Sequence, residues 1–341
     1  MTSRKNPSTS RTSQGSLSPS AHRQAVSPSQ PIDVAFPDLS RWSQGNAGVP
    51  FAWRFDSGRP GPDVIVQALT HGNEVCGAIA LDWLLDSGFR PVRGAVTVIF
   101  ANVAAYLTFD RTDPYASRCL DDDYNRLWSA AVLDGPRQSV EIKRARELRP
   151  LIDRCQYLLD LHSMTDPCPP LALCGRQAKG LALARAIGIP AHIVIDAGHA
   201  AGTRLRDYAF FDMSDDARNA LLIECGQHWE RTAPEVAKQA VLRFLQHFEL
   251  AEPRFLRAWL CAETPSSQTA IEVTDAITIG SDAFAFVMPV QGLGVVRKRG
   301  TLLARDGSNE IVTPYDDCVL IMPTRRPKRG ETAVRLGRFV T

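Results

Sequence analysis

Residues 64–85 read VIVQALTHGNEVCGAIALDWLL, in which an apolar run of strand length stands directly before a segment of helical period. The apolar run favours a buried strand, and the apolar residues after position 75 recur at helical spacing. The alternation continues along the chain, with further predicted strands at 96–101, 157–161, 193–195 and 221–223 and helices at 140–152, 180–187 and 234–250. Strands that alternate with helices predict an α/β fold, a mainly parallel (mixed) sheet with helices on both faces.

Composition divides the chain into three predicted parts. Residues 1–35 are rich in Ser and Pro and have few large apolar side chains, so we expect a disordered tail there. Residues 36–252 form the α/β domain. From residue 253 onward the helical period gives way to short apolar segments at 269–273, 283–287, 293–297, 310–313 and 318–322. We therefore predict a small C-terminal all-β module over residues 253–341.

The overall composition disfavours several classes of protein. The 341 residues include 39 Lys and Arg against 37 Asp and Glu, a formal net charge of +2, so no global charge favours nucleic acid or an acidic membrane as a partner. No apolar run reaches the roughly 18 residues of a membrane span. The eight cysteines form no C-x-x-C pair, which is typical of free thiols in a reducing compartment. We expect a cytoplasmic protein whose partner is determined by its site and not by its overall charge, and its oligomeric state stays open.

Two histidines and a glutamate follow or end predicted strands. His71 and Glu74 lie in the turn between the first strand and the first helix, and His162 ends the strand at 157–161. The carboxyl ends of parallel strands meet at the edge of the sheet where ligands bind, so these three side chains can converge. Two His and one Glu are the ligand set of an open catalytic zinc site, with a fourth position left for water. The alternatives are an ordinary helix start at Glu74 and a hydrogen-bonded core histidine at position 162.

Two further segments carry polar groups that chemistry could use. The stretch 117–126, SRCLDDDYNR, is either a solvated run of charges or a recognition loop. Asn125 and Arg126 at its end would suit the binding of a carboxylate, because Arg offers a planar fork and Asn a neutral donor. Glu224 ends the apolar run 221–223 and is a candidate general base, unless it only caps the following turn.

The four pieces H-G-N-E at 71–74, D-x-N-R at 123–126, D-L-H at 160–162 and E-x-G at 224–226 together resemble the succinylglutamate desuccinylase and aspartoacylase family, a branch of the zinc carboxypeptidase superfamily. The resemblance implies a zinc-carboxypeptidase-like fold and the hydrolysis of an N-acyl amino acid by zinc-activated water. It implies one zinc ion per chain, held by His71, Glu74 and His162. It also implies a role for five other residues: Glu224 as catalytic base, Arg118 for the oxyanion, Asn125 and Arg126 for a substrate carboxylate, and Asp123 orienting His71.

The sequence departs from the family at one point. Family members of known specificity carry a further arginine before the catalytic glutamate, which holds the carboxylate of the acyl group. The candidates here, Arg204, Arg206 and Arg218, are not in the expected register, so the acyl group stays open. Two alternatives to a deacylase also remain: a metallocarboxypeptidase that acts on peptides, and a metal-stabilised binding protein without catalysis.

Overall fold

The computed structural model describes residues 30–261 and 267–340 of the chain. The strands in these residues are β1 (Ala52–Asp56), β2 (Asp63–Ala68), β3 (Ala95–Phe100), β4 (Tyr157–Met164), β5 (Leu171–Cys174), β6 (His192–Ile195), β7 (Asn219–Gln227), β8 (Thr269–Thr278), β9 (Phe284–Phe286), β10 (Gly294–Val296), β11 (Leu302–Asp306), β12 (Asn309–Val312), β13 (Cys318–Ile321) and β14 (Thr332–Val340). The α-helices are α1 (Val75–Asp86), α2 (Val103–Tyr106), α3 (Ala130–Leu133), α4 (Val140–Arg154), α5 (Ala178–Ile187), α6 (Thr232–His247) and α7 (Pro253–Trp259). Every strand and helix predicted from periodicity is present, with ends that differ by a few residues.

Eleven strands form one mixed sheet in the order β1-β3-β2-β4-β7-β5-β6-β8-β14-β13-β10. The central pairs β2–β3, β2–β4 and β4–β7 are parallel, as are β5–β6 and β6–β8. Strand β1 runs antiparallel to β3, and β5 runs antiparallel to β7. The carboxyl ends of β2, β4 and β7 therefore lie side by side at the centre of the sheet, where the candidate residues were expected to meet.

Helices cover both faces of this sheet, which confirms the predicted fold class. On one face, Leu81 of α1 and Val241 of α6 belong to the same buried apolar cluster as Leu161 of β4. On the opposite face, Ile152 of α4 is buried in a cluster with Leu158, also of β4. Successive residues of a strand point to opposite faces, so β4 contributes to both clusters.

The C-terminal region contains both an extension of the large sheet and a sheet of its own. Strands β8, β14, β13 and β10 continue the large sheet beyond β6, and β12, β11 and β9 form a separate antiparallel sheet of three strands. Helix α7 follows directly after Glu252, and its Phe255 and Trp259 contact Trp83 of α1 with ring centroids 6.2 and 5.2 Å apart. The division of the chain at residue 252 stays a prediction.

Other expectations concern the ends of the chain and its cysteines. The predicted disordered tail falls mostly on residues 1–29, which lie outside the described residues; within the remainder of that segment, Ile32 and Val34 are partly buried against the main apolar cluster. All eight cysteines are free. In the described part of the chain, no helix is both long and apolar enough to cross a membrane.

Candidate active site

Three buried side chains meet where β2 and β4 end. Nδ1 of His71 lies 2.6 Å from Oε1 of Glu74, and Nδ1 of His162 lies 2.9 Å from Oε2 of the same carboxylate. The exposed fraction of each residue is 3% or less. One ligand atom from each residue lies within 4.8 Å of the others, so the group can hold a metal ion.

Close packing of the backbone brings these residues together. Leu69, directly after β2, adopts a φ of 59°, a left-handed conformation that turns the chain toward the site. A Cβ on Gly72 would collide with the backbone at Tyr106 and Ser117, and one on Gly77 would lie 2.8 Å from the side chains of Ala68 and Leu161. Only glycine therefore lets α1 approach β2 and β4 closely enough for Glu74 to reach His162.

A carboxylate holds the outer nitrogen of each histidine. Nε2 of His71 lies 3.0 Å from Oδ1 of Asp123, and Nε2 of His162 lies 2.8 Å from Oδ2 of Asp160. Asp160 also accepts a hydrogen bond of 2.8 Å from the Thr70 hydroxyl. A carboxylate that accepts the Nε2 proton fixes the tautomer and leaves the lone pair of Nδ1 facing the centre of the site, where it can ligate a metal ion.

The charges of the site compensate one another. Burial alone would raise the pKa of Glu74, but the two imidazoles outweigh it and hold that pKa well below its ordinary value. Burial likewise opposes the charged form of His162, and the carboxylates of Asp160 and Glu74 raise its pKa well above the ordinary value. A centre with this much negative charge around two imidazoles is suited to a cation.

Arg118 lies at the mouth of the site. It ends a short 3₁₀ helix, Ala116–Arg118, and its side chain is 36% exposed. Nη2 lies 3.0 Å from Oδ2 of Asp123, and Nη1 lies 3.5 Å from Oε1 of Glu74. The guanidinium group therefore borders the space in front of the three candidate ligands.

Asn125 and Arg126 lie in a second 3₁₀ helix, Tyr124–Arg126, which Asp123 caps by accepting a hydrogen bond of 2.9 Å from the Asn125 backbone. The side-chain oxygen of Asn125 accepts a hydrogen bond of 2.9 Å from the backbone of Leu205, which ties this loop to the segment before β7. Nη2 of Arg126 lies 3.9 Å from Oδ2 of Asp123, and its side chain is 20% exposed. Asp123 thus contacts Arg118, Arg126 and His71 at once.

Glu224 lies in β7, directly opposite His162 of β4 in the parallel register. Its Oε2 is buried, and no described residue hydrogen-bonds to it. The pKa of Glu224 is raised to about 8, mainly by burial and also by the Glu74 carboxylate, while His162 and Arg118 oppose the increase. A carboxyl group whose pKa lies near neutrality is suited to accept and release a proton.

The loop after Glu224 brings His228 and Trp229 to the site, where the sequence leaves His228 open as either a substrate contact or part of a packed loop. His228 is buried between two hydroxyl groups, with Nδ1 2.9 Å from Oγ of Ser163 and Nε2 3.2 Å from Oγ1 of Thr165. Burial lowers the pKa of His228 to about 3, so it is neutral. The next residue, Trp229, donates a hydrogen bond of 3.1 Å to the carbonyl of Asn73 and so supports the H-G-N-E turn.

The three arginines before Glu224 occupy different places. Arg218 lies near the surface, where it pairs with Asp216. Arg206 is buried and pairs with Asp207. Arg204 is also buried, pairs with Asp207, and shares Asp196 with Arg335 of β14, a residue that the sequence did not single out.

Comparison with known proteins points to one family. The family described as the succinylglutamate desuccinylase/aspartoacylase catalytic domain matches residues 60–248. A probable aspartoacylase of Parasynechococcus marenigrum (strain WH8102) is 32% identical over 141 residues, which cover 38% of this chain and 45% of that protein. An N-acyl-aromatic-L-amino acid amidohydrolase of Rattus norvegicus is 37% identical over 114 residues, which cover 30% of this chain and 33% of that protein. The matched segments thus span less than half the length of these relatives.

Solved structures share the fold over most of the chain. Succinylglutamate desuccinylase from Vibrio parahaemolyticus aligns with a TM-score of 0.64 and 16% identity, covering 86% of this chain and 87% of that one. The product-bound ectoine utilization protein EutE from Ruegeria pomeroyi aligns with a TM-score of 0.57 and 16% identity, covering 82% and 85%. At this level of identity the alignments show a common fold over more than four fifths of the chain.

Proposed function

The chain belongs to the succinylglutamate desuccinylase/aspartoacylase family, and from this premise we propose that it hydrolyses the amide bond of an N-acyl amino acid or a related small N-acylated compound. The observation that carries the proposal is the convergence of His71, Glu74 and His162 directly beside Glu224, a partly buried carboxyl group with a buried oxygen to which no described residue hydrogen-bonds. This hydrolysis needs a cation site and a proton acceptor, and both lie here at the carboxyl ends of neighbouring strands.

The donor set fits zinc. Two imidazole nitrogens and one carboxylate oxygen match the ligands of catalytic zinc sites, and the outer nitrogen of each imidazole already has a carboxylate partner. Zinc held there would acidify a water molecule and polarise the substrate carbonyl. The described residues contain no other group of three potential metal ligands of this kind, so we expect one zinc ion per chain.

Glu224 moves the proton in the proposed reaction. Its carboxylate takes a proton from the attacking water as the new bond to the carbonyl carbon forms, and it then gives that proton to the leaving amine as the amide bond breaks. Arg118 borders the same space and stabilises the negative charge that develops on the carbonyl oxygen.

Asn125 and Arg126 hold the substrate in place. A guanidinium group and a neutral amide side by side can bind one carboxylate, and the hydrogen bond from Leu205 fixes the position of Asn125. Asp123 positions His71 and both arginines of this loop. We place the enzyme in the cytoplasm, in keeping with its eight free cysteines.

A substrate screen tests the proposal. The zinc-loaded protein is incubated with N-acetyl, N-succinyl and longer N-acyl amino acids, and in parallel with peptides that carry a free terminal carboxylate, while the release of free amine is measured. We expect release from the acyl amino acids. Release from peptides alone would support a carboxypeptidase instead, and a folded, zinc-loaded protein inactive on both panels would contradict catalysis.

A further inference from the structure

A β-bulge shapes the chain directly after Glu224. Glu224 of β7 lies opposite His162 of β4, but Gln227 lies opposite Met164, so β7 has one residue more than β4 over this stretch. A bulge bends its strand and changes the direction of the residues beyond it. The residues after β7 thereby reach the end of β4, where the backbone N–H of His228 donates a hydrogen bond of 2.9 Å to the carbonyl of Met164.

Side chains of the turn after β7 fix its conformation. Oε1 of Gln227 accepts a hydrogen bond of 2.9 Å from the backbone of Trp229, and Nε2 of the same side chain donates one of 3.2 Å to the carbonyl of Thr165. Oε1 of Glu230 accepts a hydrogen bond of 3.0 Å from the backbone of Gln227. The backbone of His228 is therefore held on both sides, which limits the directions in which its ring can point.

The ring of His228 contacts the end of β4 from the side away from the proposed chemistry. It is 1% exposed, and its two nitrogens lie 2.9 and 3.2 Å from the hydroxyl oxygens of Ser163 and Thr165. Each hydroxyl can donate or accept, so either neutral tautomer of the ring satisfies both contacts. Successive residues of a strand point to opposite faces, so the side chain of Ser163 points away from the face that His162 and Glu224 share.

Ser163 connects this ring to a candidate metal ligand. The backbone N–H of Ser163 donates a hydrogen bond of 3.1 Å to Oε2 of Glu74, the oxygen that also lies 2.9 Å from Nδ1 of His162. Both Ser163 and Glu74 are buried, so a displaced Ser163 would leave the carboxylate one donor short. Nε1 of Trp229 donates to the carbonyl of Asn73, directly before Glu74. The turn after β7 thus contacts both chain segments that supply the candidate ligands.

We propose that His228 is a positioning residue of the proposed metal centre, which orients Glu74 through Ser163 and does not contact the substrate. The inference rests on the proposed function, because that proposal supplies the zinc ion. Outer partners of metal ligands fix the orientation of the ligand, and their loss typically weakens metal binding by about 10- to 100-fold. His228 acts one residue further out, so its loss has an effect at the lower end of that range.

Zinc affinity tests the inference without turnover. In chelator competition with the full chain, His228→Leu should weaken zinc binding by about 10-fold, because it removes both contacts to hydroxyl groups. An asparagine side chain places a polar atom near the position of Nδ1, and a glutamine side chain places one near that of Nε2. His228→Asn can still reach Ser163 and should retain more of the affinity than His228→Gln, which reaches only Thr165. The opposite order of these two variants would overturn the inference.

Kinetics and thermal unfolding separate positioning from two simpler roles. With zinc in excess, KM of His228→Leu on an N-acyl amino acid should stay within about twofold of the wild type, because the ring does not contact the substrate. A raised KM with wild-type zinc affinity would make His228 a substrate contact and contradict the proposal. A lower thermal midpoint of the metal-free variant, again with wild-type zinc affinity, would show that His228 only stabilises the fold.

Two further variants serve as control and as a test of the connection. His247 is exposed at the end of α6, where its ring contacts that of Phe248 with centroids 4.6 Å apart, and His247→Leu should bind zinc like the wild type. Ser163→Ala combined with His228→Leu should weaken zinc binding no more than the stronger single variant, since both remove one contact, and additive losses would refute the connection. If His228→Leu binds zinc more weakly but the wild type hydrolyses no acyl amino acid, the inference stands and the proposed function fails. If the wild type is active and both proteins bind zinc equally, the inference alone fails.

Discussion

We predict that Glu141 fixes the conformation of the loop that carries the candidate substrate residues. This glutamate is fully buried in the first turn of α4, and its Oε1 accepts hydrogen bonds from the backbone of Leu120 at 2.7 Å and from Nδ2 of Asn102 at 3.1 Å. Its Oε2 accepts two more, each of 3.1 Å, from the backbone of Asp121 and Asp122. The carboxylate therefore fixes the segment directly before Asp123.

Glu141→Gln replaces one of these oxygens with an NH₂ group, which cannot accept. Two hydrogen bonds to a charged group are lost, and each contributes about 1.5 to 3 kcal/mol, so the free energy of unfolding should fall by roughly 3 to 6 kcal/mol. A folded protein of ordinary stability has about 5 to 15 kcal/mol in total. The loss is therefore large enough for urea denaturation to detect as a clear shift of the midpoint. In the folded fraction, the loosened loop should also raise KM.

Glu147→Gln is the matched control for this experiment. Glu147 lies on the same helix, is 39% exposed and makes one ion pair of 3.4 Å with Arg144. Surface pairs of this kind contribute about 1 kcal/mol or less. The reasoning is refuted if the two variants unfold at the same urea concentration and with the same slope of the transition.

The remaining predictions concern metal binding, catalysis and packing. Asp160→Asn should weaken zinc binding by about 10- to 100-fold in chelator competition, because it removes the negative charge beside His162 and leaves one acceptor oxygen for both His162 and the Thr70 hydroxyl. Cys76→Ala should leave the zinc stoichiometry in elemental analysis unchanged. Arg118→Ala should lower kcat by about 10²- to 10³-fold, since its partner charge exists only in the transition state, whereas Arg126→Ala should mainly raise KM in the same steady-state assay. Gly77→Ala should lower the free energy of unfolding by about 1 to 3 kcal/mol in urea titration, because its Cβ would lie 2.8 Å from two side chains.

The central part of the fold could be predicted because the spacing of apolar residues within each segment indicates a strand or a helix, and the alternation of the two indicates a parallel sheet. A buried parallel strand appears in the sequence as an apolar run, and the residue that ends it must lie at the same sheet edge as the ends of its neighbours. The convergence of His71, Glu74 and His162 and the position of Glu224 opposite His162 follow from this rule. The roles of these residues stay predictions.

The rest of the site depends on contacts between segments that are distant in the sequence. Arg335 reaches Asp196 only because β8 extends the large sheet beside β6 and β14 then pairs with β8, and no local pattern indicates that arrangement. The same holds for Glu141, which resembles any acidic residue in the first turn of a helix, yet binds the backbone of the loop before Asp123. The place of His228 in the sequence, shortly after Glu224, put it near the site, but its hydroxyl partners Ser163 and Thr165 could not be predicted because they lie at the end of β4.

Turnover by Glu224→Gln tests the proposed reaction most directly. The variant keeps the shape of the side chain but cannot accept a proton, so kcat on an N-acyl amino acid that the wild type hydrolyses should fall by about 10²- to 10⁴-fold with the zinc content unchanged. Glu235→Gln, on the exposed side of α6, is the control and should match the wild type. If the zinc-loaded Glu224→Gln variant turns over as fast as that control, Glu224 is not the proton acceptor and the proposed mechanism is wrong.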